Sequence, residues 1–302
     1  MSQDPEPGAA EPVVWVDGRL LPADAPALPV SDRGFQLGDG VFETLRVRNG
    51  IPIELESHLR RLREGLATLE IRLAWSDAEV ADAISSTVAV NAPADAAVRI
   101  TVSRGAPPAR GLLPAGWPDL RATLVVQAWP NAGVDPLLVD RGVRAIVSTA
   151  RRDPASPLVG VKSVSRADYV WTKREADRAG ADDAITLTLD GHVAEATSAN
   201  LAVIVGDVLR TPPLATGALA GTTRDWLLSA DGGASLGLAA GEAVFGIDEL
   251  LAADEAILCS SVAGILPLVE VGGRPIGDGR PGPWARRLRE AREAWIAARS
   301  GG

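Results

Sequence analysis

Two hairpin signals constrain the first third of this chain more than any other feature. Val13-Val14-Trp15-Val16-Asp17-Gly18-Arg19-Leu20 sets Asp-Gly between apolar runs, and Val41-Phe42-Glu43-Thr44-Leu45-Arg46-Val47-Arg48 alternates before Asn49-Gly50 and Ile51-Pro52-Ile53-Glu54-Leu55. Two-residue hairpin turns need positive φ at their central positions, which Asn-Gly and Asp-Gly supply. Both segments are therefore predicted as antiparallel strand pairs. The period then changes: Leu59, Leu62, Leu66 and Leu69 recur at helical spacing over residues 56–69, behind Ser57 as a possible cap. A second helix is predicted over 76–91, capped by Ser76, with further strands at 97–103 and 122–127.

These elements predict a small α+β domain over residues 12–128, preceded by a disordered tail at 1–11 that lacks apolar periodicity. Turn chemistry throughout Trp129-Pro130-Asn131-Ala132-Gly133-Val134-Asp135-Pro136 marks 129–136 as an interdomain linker. The larger domain, 137–302, is predicted to hold strands near 143–148 and 158–163, a helix over about 165–179, a hairpin over 184–205, a helix over about 222–230, a strand near 256–260 and a last helix over 282–299. The fold class is α/β. A chain of 302 residues exceeds one ordinary hydrophobic core, and two domains account for that length.

Composition narrows the partners. A net charge of −9, with no basic cluster free of acids, argues against nucleic acid and anionic membranes. Two histidines, His58 and His192, and one cysteine, Cys259, are too few for a His-rich or Cys-based metal site. Cys259 reads as a small core residue. No apolar run reaches membrane-spanning length, and Ser2-Gln3-Asp4-Pro5-Glu6-Pro7-Gly8 is acidic where export signals are basic, so a cytoplasmic protein acting on small molecules is expected.

Chemistry that requires a primary amine has two seats, because the chain holds two lysines against 28 arginines. Lys173 lies in a charged helical pattern and reads as a solvated side chain. Lys162 follows Leu158-Val159-Gly160-Val161, an apolar setting that would favour a neutral amine, although position alone favours a strand-end lysine reaching water. Glu195 stands among small residues in Val193-Ala194-Glu195-Ala196-Thr197-Ser198, where it is either an exposed strand residue or a carboxylate facing a ligand. Gly221-Thr222-Thr223-Arg224 runs into a helix and offers either an ordinary cap or an anion cradle of unpaired N–H groups and hydroxyls. Lysine, carboxylate and cradle together match what pyridoxal 5′-phosphate (PLP) needs: a Schiff-base partner, a group that keeps the pyridine nitrogen protonated, and a phosphate anchor.

In order and spacing these segments resemble the fold-type IV, or class-IV aminotransferase, family of PLP enzymes. The resemblance runs from Asp32-Arg33-Gly34-Phe35-Gln36-Leu37-Gly38-Asp39-Gly40-Val41-Phe42-Glu43 through His58-Leu59-Arg60-Arg61-Leu62, Lys162-Ser163, residues 195–201 and Gly221-Thr222-Thr223-Arg224 to Pro267 and the last helix. It implies an α+β N-terminal domain joined to a C-terminal αβ pseudo-barrel domain. It further implies Lys162 as the Schiff-base lysine and proton carrier, Glu195 facing the pyridine nitrogen, and Arg61, Thr222, Thr223 and Ser261 on the phosphate. Leu219 would pack on the ring.

Within that family, the opening motif and Asp278-Gly279-Arg280-Pro281-Gly282-Pro283-Trp284 look closest to D-amino acid aminotransferases. Two positions depart from them. Phe42 stands where a tyrosine is common, and the Arg-x-His carboxylate trap is matched through Arg110 alone, with Leu112 at the histidine position. Phe42, Arg110, Val262 and Ala263 are the resulting substrate-pocket candidates. The resemblance implies a homodimer that moves an amino group from a D-amino acid, or an R-amine, to a 2-oxo acid such as 2-oxoglutarate or pyruvate. Aminodeoxychorismate lyase, which the Arg110-Gly111-Leu112 loop also fits, and branched-chain L-amino acid aminotransferase are the alternatives.

Overall fold

The computed structural model describes residues 12–301 except 93, 115, 118 and 132, so the tail expected to be disordered at 1–11 lies outside the described residues. The chain forms two compact units, Met1–Ala132 with Ser163–Ser165, and Gly133–Lys162 with Arg166–Gly302. The first contains β1 (Val13–Val16), β2 (Arg19–Pro22), α1 (Arg33–Leu37), β3 (Gly40–Arg48), β4 (Ile51–Pro52), α2 (Leu55–Thr68), α3 (Asp77–Asn91), β5 (Ala96–Ser103) and β6 (Thr123–Pro130). Both Gly-containing turns are hairpins, and the six strands form one antiparallel sheet in the order β2-β1-β6-β5-β3-β4. Leu59, Leu62 and Leu66 of α2 and Val80, Ile84 and Val88 of α3 are buried, α2 against β3 and α3 against β6 and β1. Ser76 caps α3 in a reciprocal capping box with Glu79, as the sequence predicts.

The strand expected at 51–55 stops after two residues. Pro52 has no N–H to give a ladder, and Glu54, at φ 55°, turns the chain into α2, so Glu54 rather than Ser57 is the cap residue. Gly40, which opens β3, packs so closely on β5 that a Cβ there would lie 2.4 Å from the Val102 carbonyl oxygen. Val41 bridges Ser163, and Val164 N–H donates to the Gly40 carbonyl, which groups Ser163–Ser165 with this unit.

The second unit contains α4 (Pro136–Arg141), β7 (Val143–Arg152), α5 (Ala167–Arg178), β8 (Asp183–Thr188), β9 (Val193–Ala196), β10 (Asn200–Val205), β11 (Val208–Thr211), α6 (Thr222–Leu228), β12 (Ala239–Glu242), α7 (Ile247–Leu251), β13 (Glu255–Ser260), β14 (Gly264–Val271), β15 (Arg274–Pro275) and α8 (Pro283–Arg299). Its sheet is mixed, in the order β12-β11-β10-β13-β14-β7-β8-β9 with β15 paired to β14. End strand β9 turns directly into β10, so the sheet curls around one apolar cluster, in keeping with the expected pseudo-barrel. Alternation assigns the faces. Leu201, Val203, Ala256 and Leu258 join that inner cluster, while Ala202, Ile204, Ile257 and Cys259 face outward onto Trp226 and Leu227 of α6 and Leu288 of α8. Strands buried on both faces hold their side chains rigidly.

Residues 158–163 correct the sequence reading. Residues 156–161 form two overlapping turns, with Val159 N–H donating to Ser156 O and Val161 N–H to Leu158 O, and Ser163 makes only an isolated bridge. The two prolines of Asp153-Pro154-Ala155-Ser156-Pro157 impose turn geometry that the β-branched residues after them do not overcome. Strand β14, with two glycines in the turn after it, escapes an alternation-based reading because its residues are buried on both faces.

Candidate active site

Glu195 lies on β9 and is 4% exposed, which removes the reading of an exposed strand residue. A carboxylate so buried requires donors, and it has them. Leu219 N–H donates to Oε2 at 2.9 Å, and the Tyr169 hydroxyl of α5 donates to Oε1 at 3.1 Å. Arg152, at the end of β7, donates to the Tyr169 oxygen and holds its Nη1 3.4 Å from Glu195 Oε1. Its other amino group donates to the carbonyls of Val159 and Gly217, both at 2.8 Å. Burial opposes its charge, yet Glu195 and Tyr169 raise the pKa of Arg152 above its ordinary value. Burial, then the Glu195 charge, pushes the Tyr169 phenol up to about 12, so it stays a proton donor at neutral pH. Arg166 also packs on Tyr169, its guanidinium carbon 3.1 Å from the ring centroid.

The loop between β11 and α6 meets this network through its backbone. Leu219 gives its N–H to Glu195 and accepts at its carbonyl from Asn200 Nδ2 at 2.8 Å. Two residues on, a Cβ at Gly221 would sit 1.9 Å from Asn200 Oδ1, so glycine is required for the loop to pass Asn200. Gly221 is also the cap residue of α6, and no threonine side chain caps the helix. The two hydroxyls differ: Thr222 Oγ1 lies 3.1 Å from Ser261 Oγ, while Thr223 Oγ1 is buried with no hydrogen-bond partner among the described residues. Val262 and Ala263 follow Ser261 and are half-buried, with Ala263 N–H donating to Ser260 Oγ.

The two lysines differ as their contexts suggest. Lys162 is half-buried after the turns of residues 154–160 and lies in the same unit as Glu195, Thr222 and Ser261. Lys173 is exposed on α5 and donates to the Asp182 carbonyl.

In the first unit, Arg61 of α2 forms a two-pronged pair with Glu43 of β3, Nε to Oε1 at 2.7 Å and Nη2 to Oε2 at 2.6 Å. His58 Nδ1 shares Glu43 Oε2 at 2.7 Å, and its Nε2 is buried with no partner among the described residues. Burial works against the Glu43 charge, but hydrogen bonds from Arg61 and His58 outweigh it and lower its pKa to about 2. Phe42 is buried, with the Arg99 guanidinium 3.8 Å from its ring centroid. Arg110 lies in an exposed loop beside Leu112, 77% exposed.

Motif reading named Glu195, Leu219, Thr222, Thr223 and Ser261 but gave no part to Tyr169, Arg152, Asn200 or Glu43. Tyr169 carried a signal, since it is the one tyrosine of the chain and lies seven residues after Lys162. Arg152 and Asn200 carried none, because only tertiary structure brings the Arg152 side chain to Glu195 and the Asn200 amide to the Leu219 carbonyl.

A curled mixed sheet that buries a carboxylate in a donor network, and a helix start lined with hydroxyls, define a cofactor-dependent enzyme class. Residues 40–271 match the family Amino-transferase class IV, and this chain belongs to that family. It is 33% identical over 278 residues to the D-alanine aminotransferase of Bacillus licheniformis, covering 92% of this chain and 95% of that protein. It is 32% identical over 254 residues to the aminodeoxychorismate lyase of Vibrio harveyi, covering 84% and 89%. Among solved structures, the T.th. branched-chain amino acid aminotransferase complexed with N-(5′-phosphopyridoxyl)-L-glutamate superposes with a TM-score of 0.86 at 28% identity, over 97% of this chain and 95% of that one.

Proposed function

We propose that this enzyme is a PLP-dependent transaminase that moves an amino group from a D-amino acid, with R-amines as possible further donors, to a 2-oxo acid such as 2-oxoglutarate or pyruvate. The observation that carries the cofactor reading is Glu195. A carboxylate offers about four acceptor sites, and the bonds from Leu219 and Tyr169 leave capacity for an N–H donor on a ligand. The unpartnered Thr223 hydroxyl and the Thr222–Ser261 hydroxyl pair supply O–H donors for a phosphate.

When bound, PLP supplies an electron-accepting ring that stabilises negative charge at the amino-bearing carbon of the substrate. The chain's own groups do the rest. Lys162 Nζ would supply the amine that links to the cofactor and would act as the base that carries a proton between the substrate α-carbon and the cofactor C4′. Glu195, fixed by Leu219 N–H and Tyr169, would hold a proton on the pyridine nitrogen. Leu219 would pack on the ring, and Arg61, Thr222, Thr223 and Ser261 would hold the phosphate. Phe42, Arg110, Val262 and Ala263 shape the substrate pocket, with Arg110 meeting the donor carboxylate. The enzyme works as a cytoplasmic homodimer on small molecules.

The opening and closing motifs and the Bacillus licheniformis relative support a D-amino donor. Paired D- and L-amino acid donors, assayed with 2-oxoglutarate, separate the readings. Turnover of D-alanine and its relatives is expected. Turnover confined to L-leucine, L-isoleucine and L-valine would overturn the D-amino assignment, and pyruvate release from aminodeoxychorismate without an acceptor would replace it with the lyase reaction.

A further inference from the structure

Arg33 is almost fully buried in the first unit, with its side chain 6% exposed, and nothing in the reaction described above uses it. It begins α1, after Asp32, whose carboxylate caps the helix at Gly34 N–H and accepts from Ser103 Oγ at 2.7 Å. Its guanidinium has two sides. Nε donates to Asp39 Oδ2 at 2.7 Å, while Nη1 donates to the Gly111 carbonyl at 2.9 Å and Nη2 to the Leu112 carbonyl at 2.8 Å. The planar fork of arginine makes such a two-carbonyl grip possible, and lysine cannot reproduce it.

The anchor of this grip is itself immobilised. Asp39 accepts from Arg104 Nε at 2.8 Å and Nη2 at 3.1 Å. Arg104, with a side chain 2% exposed, donates further to the carbonyls of Leu69 and Glu70 and lies 3.4 Å from the Trp117 ring centroid. The end of α2 and an aromatic ring therefore fix Arg104, which holds Asp39 and so orients Arg33. The object gripped is a loop without regular structure, whose apolar side chains Leu112 and Leu113 are 77% and 72% exposed. Left to itself such a segment samples many conformations.

The two gripped carbonyls belong to the residues directly after Arg110. We propose that Arg33 is a positioning residue for Arg110: by fixing the Gly111 and Leu112 carbonyls it holds the Arg110 backbone in place, so that Arg110 meets a substrate carboxylate without first ordering the loop. This rests on the reading above that Arg110 binds that carboxylate. Arg33 touches no substrate itself, and its contribution is loop entropy removed before binding.

The test uses the holoenzyme and the best amino acid donor found in the panel. Arg33→Lys keeps a cation beside Asp39 and loses the fork, so it is expected to raise KM for the donor by about tenfold with kcat little changed. Arg110→Gln should raise KM similarly, and Arg33→Lys should add nothing further in that background. A second readout is independent of catalysis: trypsin should cut after Arg110 several-fold faster in Arg33→Lys than in wild type. Multiplicative effects of the two substitutions, an unchanged KM in either single variant, or unchanged cleavage after Arg110 would each overturn the proposal. A holoenzyme that turns over no amino acid would instead overturn the transaminase reading, while the trypsin comparison would still report on the grip.

Discussion

Replacing Glu43 by glutamine tests the electrostatics of the first unit most directly. Glu43 is buried with Arg61 and His58 as its donors, and its pKa is lowered from 4.5 to about 2. A depression of that size corresponds to about 3 kcal/mol of stability, fully present above pH 4.5 and lost as pH falls from there toward about 2. Glu43→Gln preserves shape but leaves the Arg61 guanidinium buried without its counter-charge, a loss of about 3–5 kcal/mol near neutrality. The gap between wild type and variant is then itself pH-dependent. Between pH 4.5 and 3 the wild type should lose about 1 kcal/mol per pH unit more than the variant, because glutamine does not titrate. Urea unfolding followed by far-UV circular dichroism, at several pH values from 7 to 3, measures that gap. A gap that stays constant over the whole range would refute the assignment of the depressed carboxyl to Glu43.

Three further outcomes are expected. Lys162→Ala should abolish both transamination and the visible absorbance of bound cofactor, while Lys173→Ala, which alters an exposed contact on α5, should leave both intact in the same spectra and assays. Cys259 is 1% exposed and burial pushes its thiol up to about 12, so a disulfide-exchange reagent at pH 8 should label the unfolded protein and leave the native one unmodified. Gly221→Ala should displace Asn200 and cost about 1–3 kcal/mol of stability, read as a lowered melting temperature together with weaker PLP retention; an unchanged melt would show that the loop yields without strain.

Local patterns exposed much of this architecture, and long-range register hid the rest. The hairpins at Asp17-Gly18 and Asn49-Gly50 and the Ser76 cap were legible because the physics that makes them lies within a few residues. The strand expected at 158–163 failed because β-branched residues there compete with two prolines just upstream, and periodicity weighs neither. For the site, Glu195 is ambiguous in its own segment, and its burial follows only from the Tyr169 hydroxyl and the Leu219 N–H arriving from α5 and the loop before α6. Likewise Arg33 reads as one residue of a motif, and its grip on a loop 78 positions later depends on tertiary structure.

The backbone of Leu219 is tied at both ends, its N–H to Glu195 and its carbonyl to Asn200. Those tethers leave its side chain as the part that can change without moving the acid. Position 219 is thus a handle for redesign: isoleucine, methionine or valine there would change the side chain while the main-chain contact to Glu195 persists, so that the shape of this loop's surface can drift under selection without loosening the buried acid.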